Sequence, residues 1–137
     1  MRSHFELSDN IFEERFKNCT LDPAIFDHEA HLRLAWIHIK KYGVDVAIEN
    51  ICSQLIAFTT FLGASSKYNK TLTIAAVKAV DHFINKSDAD NFSDFITQFL
   101  RLKNNFKELM AQHYTVDIFN SDFAKNKYLE PDLLAFT

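Results

Sequence analysis

The sequence predicts an all-α, compact, bundle-like domain of about five to six helices. Three observations carry that expectation. Apolar residues recur at the 3.6-residue helical period along most of the chain, and no segment shows the period-two alternation of a strand. Capping residues stand at the starts of the periodic segments, and the glycines follow their ends. There are only two Gly and two Pro in 137 residues, which leaves no room for a Gly-rich loop or long linker, so one unit spanning 1–137 is expected.

The elements follow in order. Ser8 is placed to cap a first helix that carries Ile11, Phe12 and Phe16 on one side. Asp22 and Pro23 open a short turn through Phe26, with proline in the first helical position. Asp27 caps a second helix, about His28–Tyr42, which Gly43 ends. Asp45 caps a third, about Val46–Leu62, with Ile48, Ile51, Cys52, Leu55, Phe58 and Leu62 inward and Gly63 at its end. A loop over 63–69 leads to a fourth helix, about Lys70–Asn85, whose apolar stripe is Leu72, Ala76, Ala79, Val80 and Phe83. Ser87 or Asp88 opens a fifth, with Phe92, Phe95, Phe99 and Leu102. A sixth, about Asn105–His113, carries Phe106, Leu109 and Met110. Residues 115–137 read as a turn and an irregular tail. Tyr128, Leu129, Leu133, Leu134 and Phe136 are too apolar for a solvated terminus, so the tail is expected to pack on the helical body.

Composition narrows the classes of function. A chain of this length buries roughly two-thirds of its unfolded surface, enough for a core without staples. Aromatics reach 14%, with fourteen Phe, and phenylalanine most simply fills the gaps between helices. The net charge is −3 and no basic run exceeds a pair, which argues against nucleic acid as a partner. The longest apolar run, Leu55–Leu62, is too short to cross a bilayer, and the first ten residues lack the apolar stretch of an export signal. A cytoplasmic, bacterial-type protein with no membrane partner is the expectation. Cys19 and Cys52 stand alone, without a CxxC pair or disulfide framework, and are expected to be free thiols.

The second helix carries the most information. Only Glu29, Arg33, Lys40 and Lys41 fall on its polar side, while apolar residues wrap the rest, so it is expected to be central. His28, His31 and His38 share a stripe with Ala35 and Tyr42. His28 and His31 are one turn apart, close enough to reach a common point. That spacing suits two metal ligands, or a base and its partner, and equally two imidazoles that satisfy neighbouring backbone groups. A zinc site needs three or four protein ligands, and His38 lies about 10 Å beyond His31 at 1.5 Å per residue. The segment reads H-E-x-H, not the H-E-x-x-H of metalloproteases, and no E-x-x-H pair, P-loop, nucleophile elbow or dinucleotide fingerprint is present. A second polar island, Ser65–Thr73, places Lys67, Tyr68, Asn69, Thr71 and Thr73 at a helix start, where free N–H groups favour anions. Its structural reading is Asn69 as helix cap with solvated neighbours. His82 reads as a flank residue, and His4 and His113 as surface residues.

Three segments resemble the motifs of an uncharacterised bacterial helical family: F-D-H-E-A-H-L-R-L-A-W over 26–36, K-Y-N-K-T-L-T over 67–73, and the E-P-D-L tail over 130–133. The family pattern is F-x-H-x-x-H-L-R-x-A-W, then K-Y-H-x-T-L-T, then E-P-D-L. The resemblance covers about Phe16–Leu133 and implies a compact helical protein of this length, with no activity or cofactor attached. Matched residue by residue it points to His28, His31, Arg33, Trp36, Lys67, Tyr68, Thr71 and Thr73. The family's histidine after K-Y is Asn69 here, which removes a third imidazole and weakens a metal reading while leaving an amide that hydrogen-bonds.

The leading functional expectation is therefore a small-ligand-binding module or unassigned enzyme. Its polar pocket is built from His28, His31, Lys67, Tyr68, Asn69 and Thr71, and takes a small polar or anionic ligand. The alternatives are a structural or interaction protein whose phenylalanine-rich surface pairs with another chain, as in a homodimer, and a metal-dependent enzyme using His28 and His31. Residues His28 and His31 are expected to face Tyr68–Thr71 across one cavity.

Overall fold

Side-chain acceptors just ahead of the helical runs start most of them, as the backbone N–H groups of a first turn require. The computed structural model describes residues 2–136, and these hold eight α-helices and no strand. No helix among them is long and apolar enough to cross a membrane. The chain divides into two compact units, one ending at Tyr68 and the other beginning at Asn69.

The first unit opens with a 3-10 turn, His4–Glu6, closed by a capping box between Ser3 and Glu6. Helix α1 (Asp9–Lys17) starts at Ser8, whose hydroxyl accepts from the Ile11 N–H. A 3-10 turn, Pro23–Ile25, follows with Asp22 as its cap. Helix α2 (His28–Tyr42) starts at Asp27, which accepts from the Ala30 N–H at 2.8 Å. Helix α3 begins at Val44, not after Asp45, and runs to Phe61. Gly43 joins α2 directly to α3 at φ +85° and ψ 165°, a conformation open only to glycine, so no side-chain cap intervenes. Asp45 lies in the first turn, where its charge suits the helix dipole.

Helix α2 is buried from Leu32 to Ile39 and packs against α3, with α1 beside both. Phe16, Phe26 and Phe58 form an aromatic cluster with centroids 4.8–5.4 Å apart. The inward face of α3 is Ala47, Ile51, Leu55 and Phe58. Ile48 and Cys52 are only half-buried and Leu62 is exposed, contrary to the stripe expected from periodicity. A 3-10 turn, Ser65–Lys67, packs on α3 within the segment expected to be a loop.

The second unit is built on α4 (Lys70–Ile84), capped by Asn69. Its buried residues are Thr71, Ile74, Ala75, Val77, Ala79 and Val80, while Leu72, Ala76 and Phe83 are half-buried. The inward face is turned by about one residue, ~100°, because a polar residue, Thr71, faces inward. The expected fifth and sixth helices are three shorter ones, α5 (Phe92–Gln98), α6 (Leu100–Asn104) and α7 (Phe106–Ala111). Non-helical backbone at Phe99 and Asn105 separates them. Asn91, not Ser87 or Asp88, caps α5, and Ser87 instead holds a turn through Ala89. A last helix, α8 (Asp122–Asn126), lies in the stretch expected to be irregular and packs on α4. The tail beyond it is stitched to residues 113–115. Leu133 donates to the His113 carbonyl, Tyr114 to the Leu129 carbonyl, and the Thr115 N–H to Asp132. Phe136 is buried, whereas Leu133 and Leu134 are exposed, so the tail's apolar residues divide between core and solvent.

One helix end carries a residue that sequence reading does not flag. After α1, Cys19 sits at φ +59° in a Schellman arrangement, with Thr20 N–H bonded to Arg15 O and Cys19 N–H to Phe16 O. Gly63 holds the equivalent place after α3, with Ala64 bonded to Thr59 and Gly63 to Thr60. A Cβ in this left-handed region costs about 1–2 kcal/mol, against the ~0.5–1 kcal/mol entropy cost of glycine. Cys19→Gly is therefore expected to raise the unfolding free energy by about 0.5–1 kcal/mol in a urea titration; a loss of stability would contradict the strain. Neither Cys19 nor Cys52 is in a disulfide.

Candidate functional site

Three polar groupings occupy the first unit. At the start of α2, the His31 ring stacks on Phe26 with centroids 3.9 Å apart, and both His28 and His31 are exposed. Surrounding protein desolvates the His31 ring and His28 adds like-charge repulsion that outweighs the attraction of Asp27, so its pKa falls to about 4. The ring is neutral at pH 7, with one nitrogen donating and the other accepting. Lys67 is exposed on the 3-10 turn against α3. Tyr68 buries its hydroxyl, and burial together with the Cys52 thiol raises its pKa.

The second grouping surrounds Arg33, expected on the polar side of α2 and found 5% exposed. Its guanidinium donates to the His4 and Leu7 carbonyls at 2.6 and 2.8 Å and to Asp9 at 2.8 and 3.1 Å. It also lies over the Phe12 ring at 4.9 Å. His4, expected at the surface, is buried beside it, accepting at Nδ1 from Arg33 and donating from Nε2 to Glu29 at 2.9 Å. The N-terminal turn thus folds over α2 and supplies the partners that let an arginine be buried. The third grouping is His38, 1% exposed, whose Nδ1 faces the Asn50 amide at 3.5 Å while Nε2 stands 3.9 Å from Glu13. Burial lowers the His38 pKa despite Glu13. Glu13 itself accepts from Lys41 and Tyr42 at 2.6 and 2.7 Å.

The second unit contains the other expected site residues. Asn69 is buried, and its amide accepts from the Leu72 N–H and donates to the Ile118 carbonyl at 2.8 Å. Thr71 is fully buried, donating to the Lys127 carbonyl at 2.7 Å and accepting from the Leu129 N–H at 3.0 Å. Both side chains spend their hydrogen-bonding groups on the fold. The motif that reads as a ligand loop is, at these two positions, the device that fastens residues 118–129 to α4. Thr73 likewise bonds back to the Asn69 carbonyl.

Two recesses in this unit escape sequence reading, one within residues 107–119 and one whose walls come from segments far apart in the chain. One, of about 260 Å³, is mostly apolar, with Met110, Tyr114, Val116, Ile118 and Phe119 in its wall and Lys107 at its edge. The other, of about 140 Å³, is lined by His82, Arg101, Gln112 and His113, with Phe83 and Phe136 as apolar walls. His113, expected at the surface, is buried there. Among the described residues no three His, Cys, Asp or Glu side chains converge as a metal-ligand group.

The geometry defines an all-helical protein with two exposed histidines, His28 and His31, at the start of α2. No family model, curated protein or solved structure matches the chain.

Proposed function

We propose that the protein is a small-ligand-binding module, bacterial and cytoplasmic, whose site is the N-terminal end of α2. His28 and His31 are its recognition groups and Lys67 and Tyr68 its further polar members. The observation that carries this reading is His31, an accessible imidazole held neutral and stacked on Phe26. A solvated surface histidine pays no such desolvation, and a core histidine is not accessible; a ring with both properties suits a hydrogen-bonding ligand that displaces water. The resemblance to the helical family singles out the same two histidines and Lys67. Asn69 and Thr71, in contrast, are engaged by the fold and leave the set.

The test is histidine-selective NMR of the intact chain against a panel of small hydroxy and carboxylic acids. A ligand is expected to move the His28 and His31 ring signals, and His31→Ala is expected to abolish that shift while leaving the circular dichroism spectrum unchanged. A panel that moves neither ring sinks the reading. The same spectra yield the titration of His31, expected at about 4 rather than at the ordinary imidazole value of 6.5. Its sign is definite. As pH falls from about 6.5 towards 4, the unfolded chain takes up a proton at His31 that the folded chain does not. Stability is therefore present above that window and lost across it. A midpoint near 6.5 in the folded protein would contradict the desolvated setting.

A further inference from the structure

The 140 Å³ cavity of the second unit has a chemistry of its own. Its polar lining comes from three places: His82 on α4, Arg101 on α6, and Gln112 with His113 just after α7. Among the described residues no Asp or Glu lines it. The tail forms the remaining wall. His113 donates from Nδ1 to the Leu134 carbonyl at 2.7 Å and stacks on Phe136 at 4.1 Å, which fixes the ring and leaves Nε2 as its second polar atom. Arg101 Cζ lies over the Phe83 ring at 5.6 Å, a contact that uses none of its N–H groups. That contact leaves the in-plane N–H fork available, the geometry that grips planar or tetrahedral oxyanions.

We propose that this cavity binds a small oxyanion, a carboxylate or phosphate group, through Arg101, with His82, His113 and Gln112 as further hydrogen-bonding partners. The volume equals roughly four to five waters at ~30 Å³ each, which fits such a group and little more. The surrounding charge agrees with an anion. Burial lowers the His82 pKa, Lys86 and His113 add to it as like charges, and a hydrogen bond to the Phe136 backbone and the Asp81 charge oppose them. A bound anion reverses that balance and favours the imidazolium. The apolar walls, Phe83 and Phe136, shield the charge pairing from water and strengthen it.

The proposal is independent of the α2 site and is tested with the intact chain. Inorganic phosphate and sodium acetate are titrated separately at constant ionic strength, with sodium chloride as reference, while His82 and His113 ring signals are followed by NMR. Saturable shifts of both rings are expected, with the tighter of the two salts identifying the oxyanion, and with the His82 midpoint moved upward in the saturated state. Arg101 is exposed, so Arg101→Gln is expected to keep the helical spectrum and weaken binding about tenfold or more. Arg101→Lys, which retains the charge without the fork, is expected to recover part of it. Shifts no larger in phosphate or acetate than in chloride, or unchanged affinity in Arg101→Gln, would overturn the proposal. Shifts confined to the α2 histidines, with His82 and His113 unmoved, would likewise overturn the proposal.

Discussion

Arg33→Ala is expected to destabilise the protein by about 3–5 kcal/mol, the cost of breaking a buried charged network from one side. The arginine reaches two backbone carbonyls, the Asp9 carboxylate and the His4 ring, and covers the Phe12 ring. Truncation leaves the Leu7 carbonyl without its donor, at about 1–3 kcal/mol for a buried acceptor, and takes one of two donors from the His4 carbonyl, which keeps the Leu7 N–H. The ion pair adds less, since Asp9 is 44% exposed and water screens it. Arg33→Lys separates these effects. Lysine keeps the charge but cannot supply the fork, so a loss of more than half that of alanine is expected. Urea unfolding measures both. A change below about 1 kcal/mol for Arg33→Ala would show that the N-terminal turn is not held by this residue.

The second large effect is expected at Asn69 and Thr71. Asn69→Ala removes a helix cap, worth about 0.5–2 kcal/mol, and orphans the Ile118 carbonyl, so a total near 2–4 kcal/mol is expected. Thr71→Val preserves shape but leaves the Lys127 carbonyl and the Leu129 N–H without their shared hydroxyl, with an expected loss of about 2–4 kcal/mol. Hydrogen exchange adds a local readout: the Leu129 amide should exchange faster in Thr71→Val. If either variant kept wild-type stability, and lost a ligand instead, these residues would belong to a binding site after all.

Much of the helical framework is legible locally. Ser8, Asp22, Asp27 and Asn69 cap where expected, because a cap is a contract between a side chain and a backbone N–H two or three residues away. The break at Phe99 is not legible, since it carries neither Gly nor Pro, whereas the one at Asn105 falls where the sixth helix is expected to start. The histidines invert the expectation. His4 and His113 lack local context yet are buried, because their partners, Glu29 and the Leu134 carbonyl, lie 25 and 21 residues away. His28 and His31 begin a central helix yet are exposed, because burial along α2 becomes continuous only from Leu32.

By itself, then, the sequence determined the helical class, the starts of α1, α2 and α4, and the importance of the α2 stripe. Those depend on periodicity and short-range hydrogen bonds, which the order of residues contains. The tertiary structure alone decided that Arg33 is an interior residue, that Asn69 and Thr71 fasten the fold, and that Arg101 meets His82 and His113 at a cavity. Polar residues declare their need for partners locally, but the partners are carbonyls and side chains supplied from elsewhere in the chain. Only the folded arrangement shows which needs the protein meets within itself.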